Sequence, residues 1–308
     1  MTVEDILFRA SSMGDILTMG DGMITEIQLQ KLNELQTRHQ GALLGKDKPL
    51  TDNMRDEMSK LLYKRDNPEL SETTKKRCIK IFADQFHGRT EEITSKYMDK
   101  GNKCEEDSIT LYSRVSKKLY KKNEVRLSNR FVTGEPDLVD SDKIEESEEG
   151  ADIKTAWSLI TFLNYKLDKK VKHDYDWQGT TYMALIPKAK KWKIAHCLVN
   201  SPAQIIMDEK FKLQRQLGFV DPIMADADES YVKKCQQIER NHIFDLKLFI
   251  THNPGFDFHS DPNEWRWDIP IEDRVHEFTV ERNEQKISSM YEQCKRCRIF
   301  IKNSLLKG

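Results

Sequence analysis

Pro136-Asp137 stands fifteen residues ahead of Asp152-Ile153-Lys154, and this spacing constrains the chain more than any other feature in it. Leu138-Val139 follows the first Asp, Ala151-Asp152-Ile153 alternates apolar and polar residues, and the stretch from Asp140 to Gly150 is polar and acidic. The pattern predicts two antiparallel strands joined by an acidic tip. Asp137 and Asp152 can then share a sheet face, and Lys154, two residues further along its strand, points the same way. Two carboxylates and an ammonium would surround one small volume. Carboxylates suit a hard cation such as Mg²⁺. Such a cation polarises a phosphate oxygen and acidifies a bound water. The ammonium would offset charge developing on the phosphate. A surface hairpin with ordinary salt bridges would carry the same string.

The charge map agrees with a site of this kind. Lys and Arg total 50 against 51 Asp and Glu, a formal charge of −1 that excludes a histone-like protein and an acidic disordered tail. Locally the balance is lost. Leu111 to Arg130 holds seven bases (Arg114, Lys117, Lys118, Lys121, Lys122, Arg126, Arg130) against Glu124 alone. Glu135 to Asp152 holds nine acids against Lys143 alone. Phosphates and divalent cations suit such a pair of runs, and so do two solvated faces of opposite sign. A chain of 308 residues with 38% hydrophobic content supports one large core or two modest ones. No apolar run approaches the ~18–20 residues of a membrane helix. The first residues do not read as a secretory signal. Six scattered cysteines (Cys78, Cys104, Cys197, Cys235, Cys294, Cys297) suggest reduced thiols. A cytoplasmic location is expected.

Along the chain, residues 22–99 read as polar helices, with Ser71 able to cap one after the turn at Pro68. A further helical stretch runs from Glu91 to Lys118, interrupted near Gly101. Strand patterns follow around Val125, Leu127, Phe131 and Val132, then at Leu138-Val139 and 151–155, with a helix or strand-to-helix turn from Ala156. A helix over 174–186, a strand over 192–199, helices from Ser201-Pro202 and over 229–243, a strand over 274–280 and a final helix over 283–306 complete the reading. Helices first, then strands and helices mixed, indicate an α/β core with an N-terminal helical elaboration.

Five segments, in order, resemble the PD-(D/E)XK nuclease superfamily, and within it the lambda-exonuclease or YqaJ viral recombinase group of phage-type exonucleases, related to RecB-like nuclease domains. Arg9-Ala-Ser11-Ser12-Met-Gly14-Asp-Ile16 resembles an N-terminal segment whose Ser binds DNA phosphate. Gly101-Asn-Lys-Cys-Glu105 resembles a helical motif whose Glu joins the metal shell, with Glu106 as the register alternative. Gly134-Glu-Pro136-Asp137 and Asp152-Ile153-Lys154-Thr resemble the two ligand motifs, and Gln178-Gly-Thr-Thr-Tyr182-Met resembles the helical motif whose Gln lies at the rim of the site.

The resemblance implies a restriction-endonuclease-like α/β fold, a mixed central β-sheet flanked by helices. Residues 1–100 would form a helical extension packed on a core over 101–308. It implies a Mg²⁺-dependent deoxyribonuclease, with Mn²⁺ able to stand in, that resects double-stranded DNA ends for phage recombination or replication. Glu105, Asp137, Asp152 and the Ile153 carbonyl would hold metal, Lys154 would position the water, and Gln178 would hold water or substrate. Arg9, Ser11 and Ser12 would contact DNA. A single-strand annealing protein and a homotrimer are the implied partners, and a host bacterial cytoplasm the implied setting. A structure-selective nuclease of other polarity and a non-catalytic DNA-binding scaffold are the alternatives.

The departures are a long acidic link between Asp137 and Asp152, from which Glu145, Glu146, Glu148 and Glu149 are expected to project, and Thr180 where relatives carry a second Gln. Cys294 and Cys297 are too few for a cluster and read as unligated thiols. His252, Asp257, His259 and Asp261 lack metal-ligand spacing and read as a packing or contact loop. Trp177, Trp192 and Tyr182 read as packing. No P-loop is present.

Overall fold

The computed structural model describes residues 2–18, 24–66, 69–91, 95–219, 228–256 and 268–306. Among them no helix is long and apolar enough to cross a membrane. The chain forms two compact units, each with its own sheet.

The first unit comprises residues 1–91, 127–134 and 283–308. Its small sheet has β1 (Phe8–Arg9) parallel to β4 (Val132–Gly134), which pairs antiparallel with β3 (Leu127–Ser128). Around it are α1 (Met13–Ile16), α2 (Glu26–Leu43), α3 (Asp52–Asp66), α4 (Glu72–His87) and the C-terminal helix Glu284–Ser304. Thr25 and Gln28 form a reciprocal capping box at α2, and Ser71 caps α4 by accepting from the Thr74 N–H. Gly88 ends α4 at φ 60°, a left-handed position that costs least without a Cβ. Leu32, Leu35, Leu50 and Leu61 bury one face of α2 against α3. The C-terminal helix groups with the N-terminal segment. Its buried Arg298 donates to the Ile6 carbonyl at 2.6 Å and to the Arg130 carbonyl at 2.6 Å, and its Gln293 donates to the Ile16 carbonyl at 3.1 Å.

The second unit comprises residues 92–126 and 135–282. Its five-stranded sheet runs β2 (Lys121–Lys122), β5 (Leu138–Val139), β6 (Glu149–Thr155), β7 (Lys191–Cys197), β8 (Val275–Glu281). Only β6 and β7 are parallel; the other pairs are antiparallel, so the sheet is mixed. The helical stretch before it breaks at Cys104, between α5 (Lys96–Lys103) and α6 (Glu105–Ser116). That is three residues beyond the expected Gly101, which sits inside α5. After β6 come α7 (Leu159–Leu167) and α8 (His173–Leu185), the latter ending before Pro187 as expected. Then follow α9 (Ala203–Gln216) and the helices Glu229–His242 and Leu246–His252.

Strand β6 distributes its side chains with period two. Ala151 and Ile153 pack with Leu111 and Tyr112 of α6, and Thr155 bonds Ser108 of α6 at 2.9 Å. Gly150, Asp152 and Lys154 face the other side: Asp152 bonds Gln178 and Lys154 lies against Tyr175, both on α8. A methyl on Gly150 would strike the Trp192 ring, and Trp192 is fully buried. Gly150→Ala is therefore expected to cost about 1–3 kcal/mol of stability through overpacking. Urea unfolding followed by tryptophan fluorescence checks this, and an unchanged midpoint would contradict it.

Candidate active site

The β5–β6 pairing builds the centre of the site. Leu138 lies opposite Ala151 and Val139 opposite Gly150. One further step of that register sets Asp137 across from Asp152, as the sequence pattern implies. The peptide N–H of Ile153 donates to Asp137 Oδ2 at 2.7 Å, which fixes the first carboxylate to the second strand. Asp152 is almost wholly buried. Its Oδ1 accepts from the Gln178 amide at 3.1 Å, and its Oδ2 pairs with the Lys154 ammonium. The Gln178 amide also donates to the Tyr182 hydroxyl at 3.0 Å, and that hydroxyl donates to the Glu135 carbonyl at 3.3 Å. Tyr182 packs on Trp192 as expected, but it also orients Gln178, a role the sequence pattern does not disclose.

Burial first, and then the charge of Asp152, push the Asp137 carboxyl up to about 8; Glu105 adds to the repulsion. The Ile153 N–H and the Lys154 ammonium oppose the rise without cancelling it. Burial drives the Lys154 ammonium toward its neutral form, yet the attraction and hydrogen bond of Asp152, aided by Asp137, outweigh it and raise the lysine above its ordinary value. The Lys154 side chain keeps 24% exposure, so the buried ion pair is reachable from outside.

A cleft of about 390 Å³ opens beside Asp137, lined by Glu105, Lys122, Asn123, Glu124, Arg126, Glu135 and Pro136. Glu105 therefore shares the cleft with Asp137, whereas Glu106 does not line it. Both pair with Lys122, Glu105 at 3.3 Å. Arg126 pairs with Glu135 at 2.8 Å. Among the described residues, no three His, Cys, Asp or Glu side chains gather closely enough to hold a metal ion by themselves.

Much of the basic run is neutralised by acids nearby in the same unit. Lys121 meets Asp142 at 3.0 Å, and Lys118 pairs with Glu149. Glu149 does not project from the hairpin, contrary to expectation. It is buried in β6, where Lys118, Lys191 and Tyr120 outweigh the cost of burial and hold its carboxyl down to about 2. The strand starts two residues earlier than the pattern suggested, which brings Glu149 into it and turns it inward.

Arg9, Ser11 and Ser12 belong to the first unit. Ser12 donates to the Arg9 carbonyl at 3.0 Å, Arg9 lies 3.5 Å from Asp84, and Ser11 is exposed. His252 ends the helix Leu246–His252; Asp257, His259 and Asp261 lie outside the described residues. All six cysteines are free and buried, in agreement with reduced thiols.

No protein-family profile matches the sequence, and no curated protein matches it. Solved structures do match. A phage-related exonuclease from Haemophilus somnus 129PT aligns over 96% of this chain and 93% of its own, with 17% identity and a TM-score of 0.55. An alkaline exonuclease from Laribacter hongkongensis aligns over 97% of this chain and 89% of its own, with 9% identity and a TM-score of 0.49. Mixed sheet, flanking helices and helical N-terminal region together give this chain the fold of the phage-related exonuclease from Haemophilus somnus, as its five motifs imply.

Proposed function

We propose that the chain is a Mg²⁺-dependent deoxyribonuclease that degrades double-stranded DNA from its ends. The observation that supports this most is the Asp137–Asp152–Lys154–Gln178 constellation across β5, β6 and α8. Burial and the neighbouring Asp152 charge raise the proton affinity of Asp137, which makes the pair a poor resting state and a good seat for a hard cation. Mg²⁺ needs only one or two protein carboxylates, because it keeps waters and takes substrate phosphate oxygens as further ligands. Asp137 and Asp152 would hold it, with Glu105 at the cleft edge and the Ile153 carbonyl completing the protein's share. When bound, the ion supplies Lewis acidity toward the phosphate and its attacking water.

The side chains do the rest. Lys154, as an ammonium, donates hydrogen bonds to the attacking water or to the phosphate oxygens as negative charge grows. Gln178 keeps Asp152 from rotating, and the Ile153 N–H does the same for Asp137. The attacking water gives up one proton to solvent as its oxygen bonds to phosphorus, the bond to the 3′ oxygen breaks, and the departing oxygen takes a proton from solvent.

Incubating the chain with Mg²⁺ and either linear or covalently closed duplex DNA tests the reading. Nucleotide release from the linear form alone is the expected result. Equal cutting of the circle would assign an endonuclease of structure-selective type, and no cutting of either would favour a DNA-binding scaffold.

A further inference from the structure

We propose that Tyr175 is a positioning residue for Lys154: its ring face holds the ammonium in place beside Asp152. The inference rests on the nuclease reading above and adds to it a residue outside the five motifs.

Lys154 Nζ lies 5.1 Å from the Tyr175 ring centroid, within the range of a cation–π contact. The remaining wall around it is aromatic and uncharged. In the parallel β6–β7 register Lys154 is paired with His196, so their side chains share the face covered by α8. The His196 ring stacks on Tyr165 at 3.8 Å and 16°, tilts against Tyr175 at 5.6 Å, and meets the edge of Phe278 at 6.1 Å. Both of its ring nitrogens are buried without a hydrogen-bond partner. Burial first, and then Lys154, His276 and Lys172, hold His196 down to about 3, so the imidazole is neutral and brings no competing charge. Lys172 caps the outer side of Tyr165 with Nζ 4.3 Å from that ring. Tyr175 and Tyr165 share a hydrogen bond, and burial keeps Tyr175 a neutral phenol.

The ammonium therefore has two kinds of attraction, the carboxylates in front and one ring face beside it. Whenever another cation engages Asp152, the carboxylate contribution weakens, and the ring becomes the contact that keeps Lys154 aimed into the site. A desolvated cation–π contact is strong enough to matter for a group that must sit within tenths of an ångström.

Replacing Tyr175 with phenylalanine bearing none, one, two or three ring fluorines leaves its shape nearly constant and drains the ring face stepwise. The kcat on linear duplex with Mg²⁺ is expected to fall along the series, by about tenfold at the end. KM is expected to hold, unfluorinated Tyr175→Phe to keep at least half of the wild-type kcat, and the series to have no effect in a Lys154→Ala background. Labelled lysine ε-carbons supply a second readout: the Lys154 ε-methylene protons are shifted upfield by the ring, and Tyr175→Leu returns them. An active wild type with a flat fluorine series, or an unshifted Lys154 signal, overturns the proposal. A shifted signal in a wild type that releases no nucleotide overturns the nuclease reading and supports the contact.

Discussion

Lys154→Ala lowers kcat for nucleotide release from linear duplex by about 10²–10³-fold, the loss typical when one preorganised donor to developing charge is removed. DNA binding without cleavage stays within a few-fold of wild type, since one ammonium at the centre of the site contributes little to phosphate tracking along a duplex. Lys154→Arg does not restore the rate. The ammonium sits between the Asp152 carboxylate and the Tyr175 ring on a mostly buried stem, and a planar guanidinium in that slot displaces one of them. Acid-soluble nucleotide release under saturating Mg²⁺ is the measurement. A Lys154→Ala protein within tenfold of wild type would remove this residue from the chemistry.

The second large effect concerns Asp137 and the metal. Its carboxyl is raised to about 8 in the folded chain by burial and by Asp152, against an ordinary 3.8. A raised acid contributes stability that is full below its unfolded value and is lost as pH rises through the folded value. Metal-free protein should therefore lose stability between about pH 6.5 and 8. His196 and His242, held down to about 3 and about 4 by burial, change stability only below the ordinary histidine value of 6.5. Lys100, lowered by burial to about 8, acts above that point.

Asp137→Asn removes the loss, so its advantage over wild type in Tm grows across this window. The growth is at least about 1 kcal/mol, or roughly 1–2 °C for a chain of this size. Adding Mg²⁺ at pH 8 raises the wild-type Tm by satisfying both carboxylates, and leaves Asp137→Asn much less affected. Thermal melts in chelator and in Mg²⁺ decide the matter. A Tm difference between the two proteins that stays constant from pH 6.5 to 8 would mean that burial and Asp152 do not raise Asp137 into this window.

The legible parts of the site are those with short sequence separation. Asp137, Asp152 and Lys154 meet because one hairpin joins them, and hairpin register follows from strand alternation and loop length alone. Gln178 lies inside α8, whose end Pro187 marks, and its place at the site is legible only through the resemblance of its motif. The cap at Ser71, the buried Trp192 and the free cysteines follow from equally local rules.

Whatever depends on which helix covers which sheet face escaped the sequence. Glu149 and Glu148 are neighbours in an acidic run, yet one is buried and the other exposed, because β6 begins at Glu149 and period two sends it toward Lys118 and Tyr120. Glu105 and Glu106 differ as text only by one step of spacing from Gly101; the orientation of α6 puts the first in the cleft with Asp137 and leaves the second outside it. Tyr165, Tyr175 and His196 come from two helices and a strand and carry no common spacing, so only packing reveals that they wall Lys154.

Local chemistry in this chain thus determined where two acids and a lysine converge and that the sheet around them is mixed with helices. The burial that raises Asp137, the inward turn of Glu149 and the ring beside Lys154 were decided by tertiary structure. Desolvation and cross-element contact depend on residues far apart in the chain, and periodicity within one segment holds no information about them.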